Sequence, residues 1–122
     1  MEGYETILIT DPNLTNEEST KVISKFKDLI TKQGGSTEFE SFWGRRRLAY
    51  EVKKKDFGNY HLLYFAGNRA VIEELKTQFK YDDNILKYML VKVDNLEESY
   101  TKFEAIKANP LMNVTAIMDE EE

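Results

Sequence analysis

The 122-residue chain has no cysteine, a single histidine, two prolines and six glycines. Without cysteine there is no disulfide, no thiolate metal site and no cysteine nucleophile. The lone histidine, His61, stands between Tyr60 and Leu62 in an extended-looking stretch. Nothing beside it in sequence completes a catalytic triad or a metal set, so it reads as structural. Long apolar runs are missing as well. The longest, Leu62 to Ala66, falls far short of a membrane span of about 20 residues. The opening residues MEGYETILIT lack the basic-then-apolar pattern of a secretory signal, and a cytoplasmic protein is the expectation.

Phosphate-loop chemistry is also lacking. Gly34-Gly35 has neither the lysine nor the spacing of a nucleotide-binding loop. Glu17-Glu18, Glu73-Glu74 and Asp82-Asp83 are adjacent carboxylates, which diverge on a helix and suit helix starts or solvated turns. An acylphosphatase-like site would need cationic donors in the first strand-to-helix loop. That loop is the acidic DPNLTNEE. No catalytic residue, metal ligand or cofactor is expected.

What is present is a charged, aromatic-rich chain: 41% apolar, 32% charged, with a net charge of -5. Those fractions belong to a soluble globular domain. The charge is unevenly placed. Residues 1–93 hold 15 cations and 14 carboxylates, whereas residues 94–122 hold 2 and 8. The acidity therefore resides in the tail, and asymmetry of this kind bears on partners. Within the body, residues 44–56 carry six cations against Glu51 and Asp56.

The periodicities predict an ordered series of elements. Tyr4–Thr10 reads as a strand bounded by DPN. Thr15 and Glu18 fit a capping box opening a helix with Val22, Phe26, Leu29 and Ile30 on one face, stopped at Gly34-Gly35. Residues 37–53 look extended, but the apolar phase slips from Phe39 and Trp43 to Leu48, Tyr50 and Val52. A bulge or bend at Gly44 accounts for the slip. Asp56-Phe57-Gly58-Asn59 carries turn chemistry, and Tyr60–Ala66, apolar on both faces, reads as a central strand. Asn68 caps a second helix with Val71, Ile72, Leu75 and Phe79 as its stripe, YDDN breaks it, and Ile85–Val93 is the last strand.

The order strand, helix, strand, strand, helix, strand predicts an α+β, ferredoxin-like βαββαβ fold. Its four-stranded antiparallel sheet carries both helices on one face and leaves the other face open to a partner. Residues 1–94 form this expected domain. Residues 95–122 are expected to be an acidic extension, with a short helix on Leu96, Tyr100 and Phe103, that orders only against a partner.

The segment WGRRRLAYEVKKK, residues 43–55, admits two readings. Arg45, Arg46 and Arg47 cannot all be buried. They either keep a solvated edge strand from aggregating or bind phosphates, with Lys53–Lys55 widening the basic footprint and Lys87 and Lys92 adding to it.

These residues carry a likeness. GRRRLAYEV, residues 44–52, resembles the signature of ribosomal protein six of the bacterial small subunit: glycine, a variable residue, a basic one, a polar one, then Leu-Ala-Tyr and an aliphatic two further on. Trp43 before the glycine is also common there. The likeness runs from Tyr4-Glu5 through DPNL (11–14) to DDNILKYMLVKV (82–93). The resemblance implies a ferredoxin-like, non-enzymatic, cofactor-free, ribosome-bound protein. It also implies binding to the central domain (platform) of 16S ribosomal RNA as a pair with ribosomal protein eighteen. Arg46 matches the signature's basic residue, and Leu48 and Tyr50 its apolar pair. Arg45, Arg46, Arg47, Lys87 and Lys92 are the expected RNA contacts. Trp43, Leu48 and Tyr50 are expected to pack against the partner protein or the sheet. The chain departs from the family at Glu2-Gly3, where many members are basic, and at Glu51, where proline is common. The variable acidic tail is expected to lie away from phosphates or against the basic partner. Two other readings keep the same element order: an RNA recognition motif with Gly58, Tyr60 and Phe65 in its third strand, and a small-molecule regulatory domain.

Overall fold

The computed structural model describes residues 1–108. Along the chain run β1 (Glu2–Thr10), α1 (Asn16–Lys32), β2 (Ser36–Val52), β3 (Lys55–Gly67), α2 (Arg69–Tyr81), β4 (Ile85–Val93) and α3 (Leu96–Lys107). The strands form one antiparallel sheet in the order β2-β3-β1-β4. The expected ferredoxin-like arrangement is present, with a third helix added. Among the described residues no helix is long and apolar enough to cross a membrane.

Local chemistry sets the helix ends. Thr15 accepts from the Glu18 backbone N–H at 3.1 Å while the Glu18 carboxylate accepts from the Thr15 N–H at 2.9 Å, which satisfies two otherwise orphaned donors of α1. Asn68 caps α2 in a similar way, accepting from the Val71 N–H at 3.2 Å. The buried face of α1 is Ser19, Ile23, Phe26 and Ile30, with Val22 and Leu29 at its margins; that of α2 is Val71, Ile72, Leu75 and Phe79. Both faces pack with Leu8, Leu63 and Phe65 on one side of the sheet.

The slip of phase in β2 is a real bulge. Pairing with β3 shifts between Phe42 and Gly44, and Gly44 takes a φ of +76°, a conformation that costs glycine little. The turn, however, is not at residues 56–59. Val52 pairs with Lys55, and Lys53 and Lys54 make the two-residue turn with φ of 49° and 65°, both left-handed. Asp56, Phe57, Gly58 and Asn59 belong to β3. Gly58 is small for packing reasons, since a Cβ there would collide with Cγ2 of Ile9. The buried Asn59 amide donates to the Asp11 carbonyl at 3.2 Å and approaches Ser19 Oγ at 3.1 Å, tying down the β1–α1 loop.

The sheet face expected to be open is covered. Phe103 of α3 is 2% exposed and joins Ile7, Trp43, Leu62 and Tyr64 in a second core. Tyr100 stacks on Phe39 at 4.7 Å, and the Tyr64 hydroxyl donates to the Ser99 carbonyl at 3.5 Å. Residues 96–107 thus order against their own domain, because the large side chains of β2 and β3 leave an apolar surface that Leu96, Tyr100 and Phe103 fit. The rest of the expected extension, residues 109–122, lies outside the described residues.

Candidate nucleic-acid interface

The β2–β3 hairpin runs past the sheet, and the register places Arg45, Arg46 and Arg47 opposite Asn59, Gly58 and Phe57. Successive strand residues face opposite sides. The three arginines therefore do not form one row. Arg45 and Arg47 share a face and flank the Phe57 ring, their guanidinium carbons 4.7 and 5.9 Å from its centroid. Both are exposed. Stacking on an aromatic face holds a guanidinium by its plane, without using its N–H donors. Arg45 makes no ion pair among the described residues.

Arg46 points to the other face and is used internally. Its guanidinium lies over Trp43 at 4.7 Å and donates to the Lys107 carbonyl at 2.8 Å, closing the C-terminal end of α3. Lys87 sits on that same side of the sheet, its Nζ 2.9 Å from the Tyr50 hydroxyl. At the hairpin tip Lys53 donates to the Ile85 carbonyl at 3.1 Å, which ties the tip to β4 and brings Lys53 near Lys87. Lys92 is elsewhere. It pairs with Tyr4 near the opposite end of the sheet, and its Nζ is 2.9 Å from the Glu2 carboxylate. That hydrogen bond raises the ammonium's pKa and lowers that of Glu2. The fold thus gathers Arg45, Arg47, Lys53–Lys55 and Lys87 around one end and leaves Lys92 out.

Trp43 and Leu48 are 7% and 4% exposed and belong to the core under α3. Core packing, one of the two roles open to Leu48 in sequence, is the role it takes. Tyr50 is 44% exposed, as is Phe42, a surface aromatic that strand periodicity alone did not single out. The sequence placed the lysine run 53–55 at the strand end leading into the hairpin turn; that Lys53 and Lys54 themselves make the turn was not legible there.

His61 is buried beneath Phe42, ring centroids 4.7 Å apart, and Nε2 has no hydrogen-bond partner. Burial pushes its pKa down to about 4 from 6.5. The unfolded chain therefore takes up this proton first as pH falls through 6.5, and stability drops towards pH 4. Urea unfolding should register a loss of about 3 kcal/mol across that window, absent in His61→Leu. Glu2 and Glu18, held below their ordinary value by Lys92 and by the Thr15 backbone, lose their contribution only as pH falls below about 5.5, so the slope above that pH isolates the histidine. Among the described residues no group of three or more candidate ligands could hold a metal.

The model of the family described as Ribosomal protein S6 matches residues 3–92. The chain belongs to the ribosomal protein S6 family. It is 42% identical over 94 residues to small ribosomal subunit protein bS6 of Heliobacterium modesticaldum, covering 77% of this chain and 98% of that protein. It is 38% identical over 94 residues to bS6 of Desulforapulum autotrophicum, again 77% of this chain but 61% of that longer protein. The crystal structure of 30S ribosomal protein S6 from Thermotoga maritima superposes with a TM-score of 0.74 at 26% identity, covering 84% of this chain and 97% of that one. The S6 family comprises structural proteins of the small ribosomal subunit, not enzymes. α3 begins beyond the span matched by the family model, residues 3–92.

Proposed function

We propose that this S6-family protein binds the central domain (platform) of 16S ribosomal RNA together with ribosomal protein eighteen, in the cytoplasm as part of the small subunit. The observation that carries the RNA contact is the exposed pair Arg45 and Arg47 braced on Phe57 at the end of a projecting hairpin. Each guanidinium that meets a phosphate releases condensed counterions, and the lysines at the turn extend the footprint. The half-exposed aromatics Tyr50 and Phe42 suit a protein neighbour, because rigid amphipathic rings add contact area at low entropic cost.

Residues 1–93 carry a balance of only +1, so RNA affinity from this chain alone is modest and falls steeply with salt. A basic partner adds both charge and area. Filter binding to a 16S central-domain fragment should give tight binding only when protein eighteen is present; equal affinity without it overturns the paired reading. A single-stranded RNA recognition motif is disfavoured, since Tyr60, Tyr64 and Phe65, which would offer stacking faces, are fully buried.

A further inference from the structure

The β4 edge of the sheet carries a groove of about 580 Å³ whose lining includes Lys53, Lys76, Lys80 and Lys87 and no carboxylate. Three elements bring these ammonium groups together. α2 supplies Lys76 and Lys80 one turn apart, β4 supplies Lys87, and the hairpin tip, anchored on the Ile85 carbonyl, supplies Lys53. Lys76 and Lys80 are exposed and make no ion pair among the described residues. Between the lysines lie the half-buried Tyr88 and Leu90. β4 is also an edge strand of the sheet among the described residues. An apolar floor, a strand edge and a wholly cationic rim suit an extended segment that is apolar first and acidic next.

This chain contains such a segment. Val114-Thr115-Ala116-Ile117-Met118 is apolar and β-prone, and Asp119-Glu120-Glu121-Glu122 follows with four carboxylates. The described chain stops at Ala108, next to the Lys107 carbonyl that Arg46 holds. From there the groove lies across the width of the sheet, about 14 Å for three strand spacings. The five residues 109–113 that link Ala108 to this segment reach about 20 Å when extended, enough to cross that width.

We propose that the lysine groove along β4 receives residues 114–122 of its own chain, which there compete with RNA phosphates for Lys53 and Lys87. The inference rests on the RNA-binding reading only for the competition; the docking is independent of it. Its effect is selectivity. An internal polyanion screens the cations from any weakly bound nucleic acid, whereas the specific site, with protein eighteen adding contacts, displaces it.

The absence of cysteine permits a clean test in the full-length protein. A nitroxide on Met118→Cys should broaden the amide signals of Lys76, Lys80, Lys87 and Tyr88 at low salt. The broadening should vanish at about 0.5 M salt, where the Debye length is only a few Å, and in Lys76→Glu/Lys80→Glu. No broadening at low salt overturns the docking. In a second arm, Asp119→Asn/Glu120→Gln/Glu121→Gln/Glu122→Gln should bind an unrelated RNA about three- to tenfold more tightly than the parent at low salt. That gain should disappear in the Lys76→Glu/Lys80→Glu background. If it persists there, the tail acts by net charge alone and the groove is not its site. If instead Lys76→Glu/Lys80→Glu weakens RNA binding equally with and without tail charges, the groove belongs to RNA, and the proposal falls. Broadening with no RNA binding by any form overturns the competition and the ribosomal RNA reading, and leaves the docking supported.

Discussion

Phe103→Ala should lower the stability of the protein by about 3–5 kcal/mol, the cost of emptying a fully buried aromatic site. At roughly 4 °C per kcal/mol for a domain of this size, the melting temperature falls by about 12–20 °C. The magnitude follows from where the ring sits. Phe103 is the one fully buried side chain of α3, facing Trp43 with ring centroids 6.4 Å apart, and its loss unseats the contacts at Tyr100 and the Arg46 bond to the helix end. Tyr81→Ala, at a 74% exposed aromatic, is the matched control and should change stability by no more than about 0.5 kcal/mol. Thermal unfolding decides between them. A Phe103→Ala protein as stable as the parent would mean that α3 is not part of the folding unit.

Removing the two stacked guanidiniums should be felt in RNA binding instead. For Arg45→Ala/Arg47→Ala we expect affinity for the 16S central-domain fragment, with protein eighteen present, to fall about 10- to 100-fold. The slope of log affinity against log salt should shrink by nearly 2, roughly one unit for each phosphate that is no longer neutralised. Stability should fall by about 1–2 kcal/mol, well short of the loss in Phe103→Ala, because exposed cation–π contacts contribute only about 0.5–1 kcal/mol each. Lys92→Ala serves as the internal control. Its ammonium is engaged by Glu2 at the far end of the sheet, so it should leave both affinity and slope unchanged. A salt titration monitored by fluorescence anisotropy separates the cases. Equal losses in the two variants would show that the cation-bearing hairpin is not the privileged surface.

The two effects fall on neighbouring residues because strand alternation divides the arginines. Arg46 goes inward to hold α3, while Arg45 and Arg47 go outward. The signature's matched basic residue, Arg46, is thus the one most occupied by the protein itself. Substituting it tests structure and function together, which is why the outward pair is the sharper experiment.

Much of this protein was legible in relations between residues a few positions apart. Thr15 with Glu18, Asn68 before Val71, the stripe Val71-Ile72-Leu75-Phe79 and the phase slip at Gly44 all depend on local backbone geometry, and all stand in the structure. So does the order of elements, and with it the ferredoxin-like sheet. The motif at residues 44–52 pointed to the family that the matched span 3–92 establishes.

Three features were decided only by the assembled chain. The hairpin turns at Lys53-Lys54 and not at the glycine-bearing DFGN, because Gly58 must lie against Ile9 and Asn59 must reach Asp11. Both bring together segments some 50 residues apart, and they outweigh local turn propensity and the cost of two left-handed lysines. The helix at 96–107 was visible as an amphipathic pattern, yet nothing in that pattern says which surface receives it; the sheet face had first to be built from β1, β2 and β3. The basic residues, finally, were read as one patch, whereas register sends them to two faces and to both ends of the sheet. Composition determines how much charge a chain carries, but only strand pairing determines which charges are neighbours.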